Sequence, residues 1–269
     1  MLNPVGDRYS LSLGPQGAQL ALRSGLWRPR YRVLGALAWP AQASDAQRGD
    51  VLDELLMRHT TAGGALKVLV DDLWVPTTSV QPPVNASTVA DLKAAAALRL
   101  RTVTDAATGW ETASEPRVAG RFVASALRSG LLDLLREQSQ RYGLQLVSVQ
   151  PLFAAVWNHW HAALAPGQWL GICSAGALTL CIAPSRHVEQ LRRLEFVPSN
   201  AQEPSWLGDA VQREALRLGV PAPSAVGLCG AVPLAWRQST RMTAGPQRGP
   251  EAVYLGPVGD ALGLWGIQP

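Results

Sequence analysis

Two adjacent carboxylates follow an apolar run of the chain and offer the plainest candidate for metal chemistry. Asp71 and Asp72 come directly after Leu66–Val70, which has the composition of a buried strand. Carboxylate oxygens are the ligands that Mg²⁺ prefers, so the pair could hold that ion. Successive strand residues point to opposite faces, however, and the two carboxylates would then diverge. We therefore interpret Asp71 and Asp72 as part of a turn at the strand end.

A thiol and two imidazoles are the other reactive groups. Cys173 lies within Gly171-Ile-Cys-Ser-Ala175, which lacks the second glycine of a nucleophile elbow, so we interpret it as a buried, inert cysteine. His159 and His161 are two residues apart, and on a helix such positions face different directions and cannot share one metal ion. No phosphate-binding loop of the Gly-x-x-x-x-Gly-Lys type is present. The sequence thus predicts no catalytic residue and no metal site.

The composition is that of a globular chain with a diffuse positive charge. Of the 269 residues 47% are hydrophobic, which argues against disorder. The 24 basic and 20 acidic residues leave a net charge of +4, and the basic excess is arginine scattered along the chain. The densest arginine cluster, interleaved with aromatic residues, comprises Arg23, Arg28, Arg30, Arg32, Trp27 and Tyr31. Such a cluster could grip nucleic acid, but we favour a solvated strand edge or turn and predict no nucleic-acid partner.

Cysteine usage and hydropathy predict a cytoplasmic location. Three cysteines, Cys173, Cys181 and Cys229, form no even disulfide framework and lack metal-ligand spacing, which favours a reducing compartment. Residues Met1–Asp7 show no signal-peptide pattern. No run reaches the ~18–20 apolar residues needed to span a bilayer. We therefore expect a soluble chain without a spanning helix of its own.

The periodicity of apolar residues predicts alternating strands and helices in the first half of the chain. It opens with a hairpin, Tyr9–Leu13 and Ala18–Leu22, joined by a Gly14-Pro-Gln-Gly17 turn. The elements predicted after it are a strand over Val33–Trp39, a helix over Gln47–His59, a strand over Leu66–Val70, an extended loop marked by Pro76, Pro82 and Pro83, a helix over 88–101, a polar connection around Trp110, a strand over Arg121–Ala126, a helix over Leu131–Tyr142 and a strand over Leu144–Val149.

The second half repeats this order. Its predicted elements are a helix over Leu152–Leu164, strands over Trp169–Cys173 and Leu178–Ala183 around a Ser174–Ala177 turn, a strand or short helix over Val188–Val197, a helix over Trp206–Leu218, a strand over Ser224–Leu228 and a short strand over Val253–Leu255. Hairpin strands followed by a helix and a strand, occurring twice, predict an α/β fold with mixed sheets flanked by helices. The two halves predict two lobes, residues 1–151 and 152–269.

The order of these elements resembles that of the actin-like ATPase superfamily. Three stretches carry the resemblance: the hairpin Tyr9–Leu22, the strand, helix and strand from Arg121 to Leu152, and the hairpin Trp169–Ile182 with the later run Val226–Pro233. More narrowly, the order is similar to that of an assembly-platform branch, which includes the PilM-type protein of type IV pili and the cytoplasmic domain of the L component of type II secretion. The resemblance implies a two-lobed, actin-like (RNase-H-like) fold.

The same resemblance implies where a nucleotide would lie. Members of the superfamily place an aspartate in a glycine-containing hairpin of each lobe, where it holds Mg²⁺ at the phosphates. The corresponding turns here contain Gly14 and Gly176 but no aspartate, and Gly227 and Gly230 correspond to the adenosine-side turn. We therefore expect a degenerate nucleotide cleft, no cofactor and no hydrolysis.

For function, the resemblance implies a non-catalytic scaffold of a type IV pilus or type II secretion platform, at the inner face of the inner membrane. Such a scaffold would dock the short cytoplasmic tail of a single-pass inner-membrane protein and would reach the membrane only through that partner; its oligomeric state is open. The alternative is a nucleotide-dependent enzyme of the actin-like and sugar-kinase superfamily. That enzyme would need a catalytic carboxylate from Asp71, Asp72 or Asp105.

Overall fold

The computed structural model describes residues 7–24, 30–40, 42–105, 109–118, 120–183, 187–197, 199, 202–237 and 250–256. Within these residues the chain forms two five-stranded sheets and a smaller three-stranded sheet. Up to residue 151 the elements in chain order are β1 (Arg8–Gly14), β2 (Gly17–Ser24), β3 (Arg30–Ala38), α1 (Asp45–His59), β4 (Ala65–Val70), β5 (Thr77–Val80), α2 (Val89–Leu100), β6 (Trp110–Ser114), β7 (Phe122–Arg128), α3 (Ser129–Arg141) and β8 (Gln145–Pro151).

The first large sheet has the strand order β3-β2-β1-β4-β8. The first three strands pair antiparallel, and β4 and β8 add in parallel, so the sheet is mixed. Alternation along the strands places Leu11, Leu20 and Val68 in one buried core with residues of α1 and α3. The predicted hairpin is confirmed, and its turn requires Gly17, since a Cβ there would lie 2.2 Å from the carbonyl oxygen of Leu37.

The three-stranded sheet contains two strands that the sequence predictions miss. Its strands pair antiparallel in the order β5-β7-β6, and α2 covers one face through Leu92, Ala96 and Leu100. β5 lies in the predicted proline-marked loop and β6 in the predicted polar connection around Trp110, so both predictions are wrong there. Neither segment has clear apolar alternation, and each is a strand because it pairs with the apolar central strand β7.

The second large sheet repeats the first. From residue 152 the elements are α4 (Leu152–Trp160), a 3₁₀ turn (His161–Ala163), β9 (Trp169–Ser174), β10 (Ala177–Ile182), β11 (Gln190–Glu195), α5 (Pro204–Leu218), β12 (Ala225–Gly230), α6 (Leu234–Arg237) and β13 (Glu251–Gly256). The strand order β11-β10-β9-β12-β13 has the same sequence of antiparallel and parallel pairs as the first sheet. The segment predicted as a strand or a short helix over Val188–Val197 is strand β11.

Pro151 connects the last strand of the first large sheet to the helix that leads to the second. This residue is the last of β8 and also the N-cap of α4, where its φ is −64°. The helix predicted to reach Leu164 ends as an α-helix at Trp160 and continues as the 3₁₀ turn. The predicted α/β class, with mixed sheets flanked by helices, is confirmed. A lobe boundary at residue 151 stays a prediction.

Two sequence features fall only partly within the described ranges. Arg23, Arg30 and Arg32 lie on the paired strands β2 and β3, and β3 is an edge strand. Trp27 and Arg28 of the same cluster lie outside the described residues, as do residues 1–6 of the predicted N-terminal segment. Among the helices of the described ranges, none combines the length and the apolar character that crossing a membrane would require.

Candidate functional site

A tryptophan binds the turn of the first hairpin, and a second tryptophan packs against the first. Trp39 donates from Nε1 to the carbonyl of Gly14 at 2.6 Å, and its backbone N–H donates to the carbonyl of Gln16 at 3.0 Å. The ring of Trp39 lies 6.2 Å from that of Trp74, and the guanidinium of Arg48 lies 5.0 Å from the Trp74 ring centroid. The carbonyl of Gly14 is therefore bound to an indole.

The turn of the second hairpin joins β9 to β10 and contains two residues in the left-handed region. Ala175 has a φ of +48° and Gly176 a φ of +72°, and the carbonyl of Gly176 accepts a hydrogen bond from the backbone N–H of Phe196 at 3.0 Å. A left-handed conformation favours glycine, which explains Gly176 without a ligand. Beside this turn, the hydroxyl of Ser174 donates a hydrogen bond to the carboxylate of Asp71.

Asp71 connects the two hairpins. It is 3% exposed, its backbone N–H donates to the carbonyl of Leu13 at 2.8 Å, and its carboxylate accepts from the backbone N–H of Leu73 at 2.9 Å as well as from Ser174. The sequence predicts no carboxylate beside either hairpin, and the structure corrects this prediction. The acid comes from the end of β4, which pairs in parallel with β1, so that Leu13 lies opposite Val70.

Asp72 turns away from Asp71, as the alternation of strand residues predicts. Its Oδ1 accepts a hydrogen bond from the backbone N–H of Phe153 at 3.0 Å, in the first turn of α4. That helix has no side-chain cap of its own, because its N-cap is Pro151. Burial raises the pKa of the Asp72 carboxyl to about 7, and the neighbouring charge of Asp71 acts in the same direction. Asp72 thus caps the first turn of α4.

The two glycines predicted at an adenosine-side turn lie at different places in β12. Gly227 is inside the strand, where an added Cβ would lie 2.8 Å from side-chain atoms of both Leu164 and Leu255. Gly230 ends the strand with a φ of +89°, and the next residue, Ala231, donates to the carbonyl of Cys173 at 2.9 Å. Close packing accounts for Gly227 and a left-handed strand end accounts for Gly230.

The remaining candidate residues do not converge. His161 bonds through Nδ1 to the carbonyl of Trp157 at 3.0 Å, and His159 packs edge-on against Trp160. The backbone carbonyl of Asp105 accepts a hydrogen bond from Nε1 of Trp110, the first residue of β6, at 2.9 Å. In the part of the chain that the structure describes, no three histidine, cysteine, aspartate or glutamate residues group as metal ligands would.

The cysteines are buried thiols. Cys173, Cys181 and Cys229 are free, and burial raises the pKa of each thiol above its ordinary value, that of Cys229 to about 12. A thiol of high pKa carries little thiolate, which is the reactive form. The interpretation of Cys173 as a buried cysteine is confirmed.

A groove of about 790 Å³ lies between the three-stranded sheet, the end of β8 and helix α4. Sequence reasoning missed it, because its walls come from segments that are distant in the chain. The apolar side chains of the wall include Phe122, Val123, Val149, Phe153, Ala154 and Trp157. The polar ones include Glu115, Arg117, Gln150, His161 and His187, and Arg117 Nη2 bonds to His187 Nδ1. The groove is thus lined by apolar side chains together with a few polar ones, among them the contacting pair Arg117 and His187.

The fold is similar to those of solved structures at low sequence identity. A Bacteroides thetaiotaomicron protein with an actin-like ATPase fold and unknown function has a TM-score of 0.60 at 9% identity, over 86% of each chain. The PilM–PilN type IV pilus biogenesis complex has a TM-score of 0.60 at 16% identity, over 85% of this chain and 82% of that one.

The cytoplasmic domain of EpsL, an inner-membrane component of the Vibrio cholerae type II secretion system, has a TM-score of 0.60 at 11% identity, over 96% of this chain and 93% of that one. No protein-family model and no curated protein sequence matches the chain. The resemblance predicted from the sequence is confirmed at the level of architecture. The chain has the actin-like ATPase fold, and it is similar in structure to PilM and to the cytoplasmic domain of EpsL.

Proposed function

We propose that the chain is a non-catalytic scaffold of a type IV pilus or type II secretion platform, in the cytoplasm at the inner face of the inner membrane. One observation carries the proposal: the polar groups at the two hairpin turns are already bound within the protein. Asp71 accepts hydrogen bonds from Ser174 and Leu73, and the carbonyl of Gly14 accepts from Trp39. The fold similarity to PilM and to the cytoplasmic domain of EpsL supports the platform.

The hydrogen bonds that Asp71 and Asp72 already accept within the protein argue against phosphoryl transfer at this place. That reaction depends on metal ions that neutralise the developing charge, and a carboxylate must offer free oxygen lone pairs to hold them. Each oxygen of Asp71 already accepts one hydrogen bond from the protein, and Oδ1 of Asp72 accepts one from the first turn of α4, so a metal ion would have to compete with these donors. With a pKa of about 7, Asp72 is also only partly ionised near neutral pH. The contacts of Asp71 with Leu13 and Ser174 are better explained as a structural junction between the two sheets than as a reaction centre.

The groove between the three-stranded sheet, the end of β8 and α4 is the place where we infer that a partner docks. Extended peptide segments bind proteins through side-chain pockets and through the open edge of a strand. The groove offers both, because Val123, Val149 and Trp157 line it and β8 is an edge strand of its sheet. The occupant that we propose is the short cytoplasmic tail of a single-pass inner-membrane protein, so that the chain reaches the membrane through this partner.

Co-purification tests the docking. Ala154→Arg would project a long cation from α4 into the groove, and Ala90→Arg, on the exposed side of α2, is the matched control. The full chain is expressed with each single-pass membrane protein of the pilus or secretion system of the same cell. We expect one cytoplasmic tail to co-purify with the wild type and with Ala90→Arg, and not with Ala154→Arg. A tail that is retained equally by all three chains would contradict docking in the groove.

Titration calorimetry with ATP and Mg²⁺, followed by an assay for phosphate release, tests the non-catalytic part of the proposal. We expect no turnover by the full chain, because the carboxylates at the cleft are bound by Ser174 and by the first turn of α4. Tight nucleotide binding together with phosphate release would overturn the scaffold proposal and leave the fold assignment intact.

A nucleotide-dependent enzyme is the second candidate, and one observation favours it. Asp71 is a buried carboxylate at the junction of the two hairpins, where the fold would place phosphates. Substituting Asp71, Asp72 and Asp105 one at a time by asparagine tests this function. Loss of a measured turnover in one variant would support the enzyme. Nucleotide binding and turnover that are unchanged in all three variants would exclude it.

A further inference from the structure

We propose that the segment that binds in the groove is an extended, apolar one that carries a carboxylate, and that Arg117 and His187 bind this carboxylate. The inference rests on the proposed function, since it assumes that the groove docks a partner. It adds the chemical identity of the partner segment and the residues that select it.

Arg117 has a cationic side chain that the described part of the chain leaves without a carboxylate. Arg141 and Arg192 pair with Asp53 and Glu214 at 2.6 and 2.9 Å, whereas Arg117 forms no ion pair with any described residue. Its bond is to the ring of His187, which lies 70 residues later in the chain. Arg117 is partly buried, and its contact with His187 is exposed, so an anion can reach the guanidinium and accept charge-assisted hydrogen bonds from it. Among the described residues of the groove wall, the one carboxylate is that of exposed Glu115.

The contact between Arg117 and His187 determines which groups face the groove. A guanidinium nitrogen can only donate a hydrogen bond, so Nδ1 of His187 accepts, and the ring proton of the neutral imidazole is on Nε2. The pair therefore offers the remaining guanidinium N–H groups and an imidazole N–H, and no acceptor. Planar donor sets of this kind match the two oxygens of a carboxylate.

His161 is a contrasting case at the same groove. The carbonyl of Trp157 can only accept, so Nδ1 of His161 carries the proton and donates to it, and Nε2 of the neutral ring is an acceptor. His161 thus does not add to the donor set while it is neutral. The donors in the groove wall that suit an anion are therefore those of Arg117 and His187.

The rest of the groove determines the other features of the segment. Its wall is built from apolar side chains of three elements, among them Val123, Val149 and Trp157, which suit a large apolar side chain. Nε2 of Gln150, also in the wall, is buried and has no hydrogen-bond partner among the described residues. Because this nitrogen is shielded from solvent, a backbone carbonyl of a segment along the edge of β8 could accept from it only after the amide turns toward that edge.

Selection from a peptide library tests the inference without knowledge of the natural partner. The probe is a phage-displayed library of random peptides of about twelve residues, which span roughly 40 Å when extended. The library is selected on the full wild-type chain after depletion on Ala154→Arg, so that only peptides dependent on the groove remain. We expect those peptides to share an aspartate or glutamate at a constant spacing from a large apolar residue.

Synthetic versions of the selected peptides then test the residues. We expect Arg117→Gln to weaken binding about tenfold, the size expected for the loss of a charge-assisted hydrogen bond. Arg121→Gln, an exposed arginine outside the groove wall, should leave binding unchanged. Arg117→Glu should abolish binding of the acidic peptide, and replacing the acidic residue of the peptide by lysine should restore it.

The outcomes separate the two proposals. Peptides that depend on the groove but show no acidic residue, or that bind Arg117→Gln as well as wild type, would overturn the carboxylate inference and leave the docking groove standing. If no peptide distinguishes the wild type from Ala154→Arg while both chains unfold at the same urea concentration, docking in the groove fails, and the carboxylate inference fails with it.

Discussion

The hydroxyl of Ser174 donates a hydrogen bond to the carboxylate of Asp71, which lies 103 residues earlier in the chain. The bond joins the second hairpin to the end of β4 in the first sheet, at a position where Asp71 is buried. A buried carboxylate is stable only if its oxygens accept hydrogen bonds, so the donation from Ser174 both satisfies Asp71 and links the two sheets.

Ser174→Ala should therefore destabilise the chain. The substitution leaves one oxygen of a buried carboxylate without its side-chain donor, and we expect the free energy of unfolding to fall by roughly 1–3 kcal/mol. Urea denaturation monitored by tryptophan fluorescence measures the change. Ser205→Ala, at an exposed position of α5, is the control and should have no effect. Equal stability of Ser174→Ala and wild type would show that the bond does not hold the sheets together.

Asp72 should make the stability of the chain depend on pH. Its pKa is about 7 in the folded chain, and an unfolded aspartate titrates near ~3.9. Between these values the folded state keeps a proton that the unfolded state has lost, so the stability due to this group falls as the pH rises from about 4 to about 7. At lower pH both states are protonated, and above the folded pKa the loss is complete.

Asp72→Asn tests this linkage, because the amide oxygen can still accept from Phe153 N–H and carries no charge. We expect the variant to be more stable than wild type at pH 8, by up to about 4 kcal/mol, and about as stable at pH 4. Urea denaturation at both values gives the comparison, with Asp209→Asn on the exposed side of α5 as the control. A variant that is less stable at pH 8 would show that the ionised carboxylate is favourable where it lies.

The thiols should be protected in the native chain. Because burial raises the pKa of Cys173, Cys181 and Cys229, little thiolate is present near neutral pH. We expect Ellman's reagent to react slowly with the folded chain and to titrate all three thiols in urea. A thiol that reacts in the native state as fast as in urea would contradict the burial of that cysteine.

Gly227→Ala should destabilise the second sheet. The new Cβ would lie 2.8 Å from side-chain atoms of Leu164 and Leu255, and both side chains would have to shift. We expect a loss of about 1–3 kcal/mol, typical of overpacking. Gly130→Ala is the matched control, because a Cβ there meets no atom within 4 Å and alanine favours the helix. Unchanged melting of Gly227→Ala would show that the strand can open at this point.

Local periodicity was sufficient to predict most of the fold. The hairpin closed by Gly14 and Gly17 and the helix that ends before Gly143 have strong patterns that depend only on neighbouring residues. β5 and β6 could not be found in this way, because they become strands by pairing with β7. β5 pairs with residues 42 to 48 positions later in the chain, which no local window reports. β6 lies only 10 to 18 positions before its partners in β7, but it has no clear apolar alternation of its own.

The candidate site was predictable only in part. The two glycine turns are predicted by the hairpin pattern and by the resemblance, but the carboxylate beside the second turn is Asp71, from another strand. A signal was available: a parallel pairing of β1 with β4 places the residue after Val70 beside the first hairpin turn. The groove could not have been found, since Arg117 and His187 are brought together by the tertiary fold alone.

The shared position of Pro151 has a mechanical consequence. Its pyrrolidine ring restricts rotation about φ, and it ends β8 and begins α4 with no linker between them. A force applied to α4 would therefore be transmitted directly to β8 and the first sheet. If the proposed partner binds at α4, this joint would behave as a stiff coupling between that partner and the first sheet.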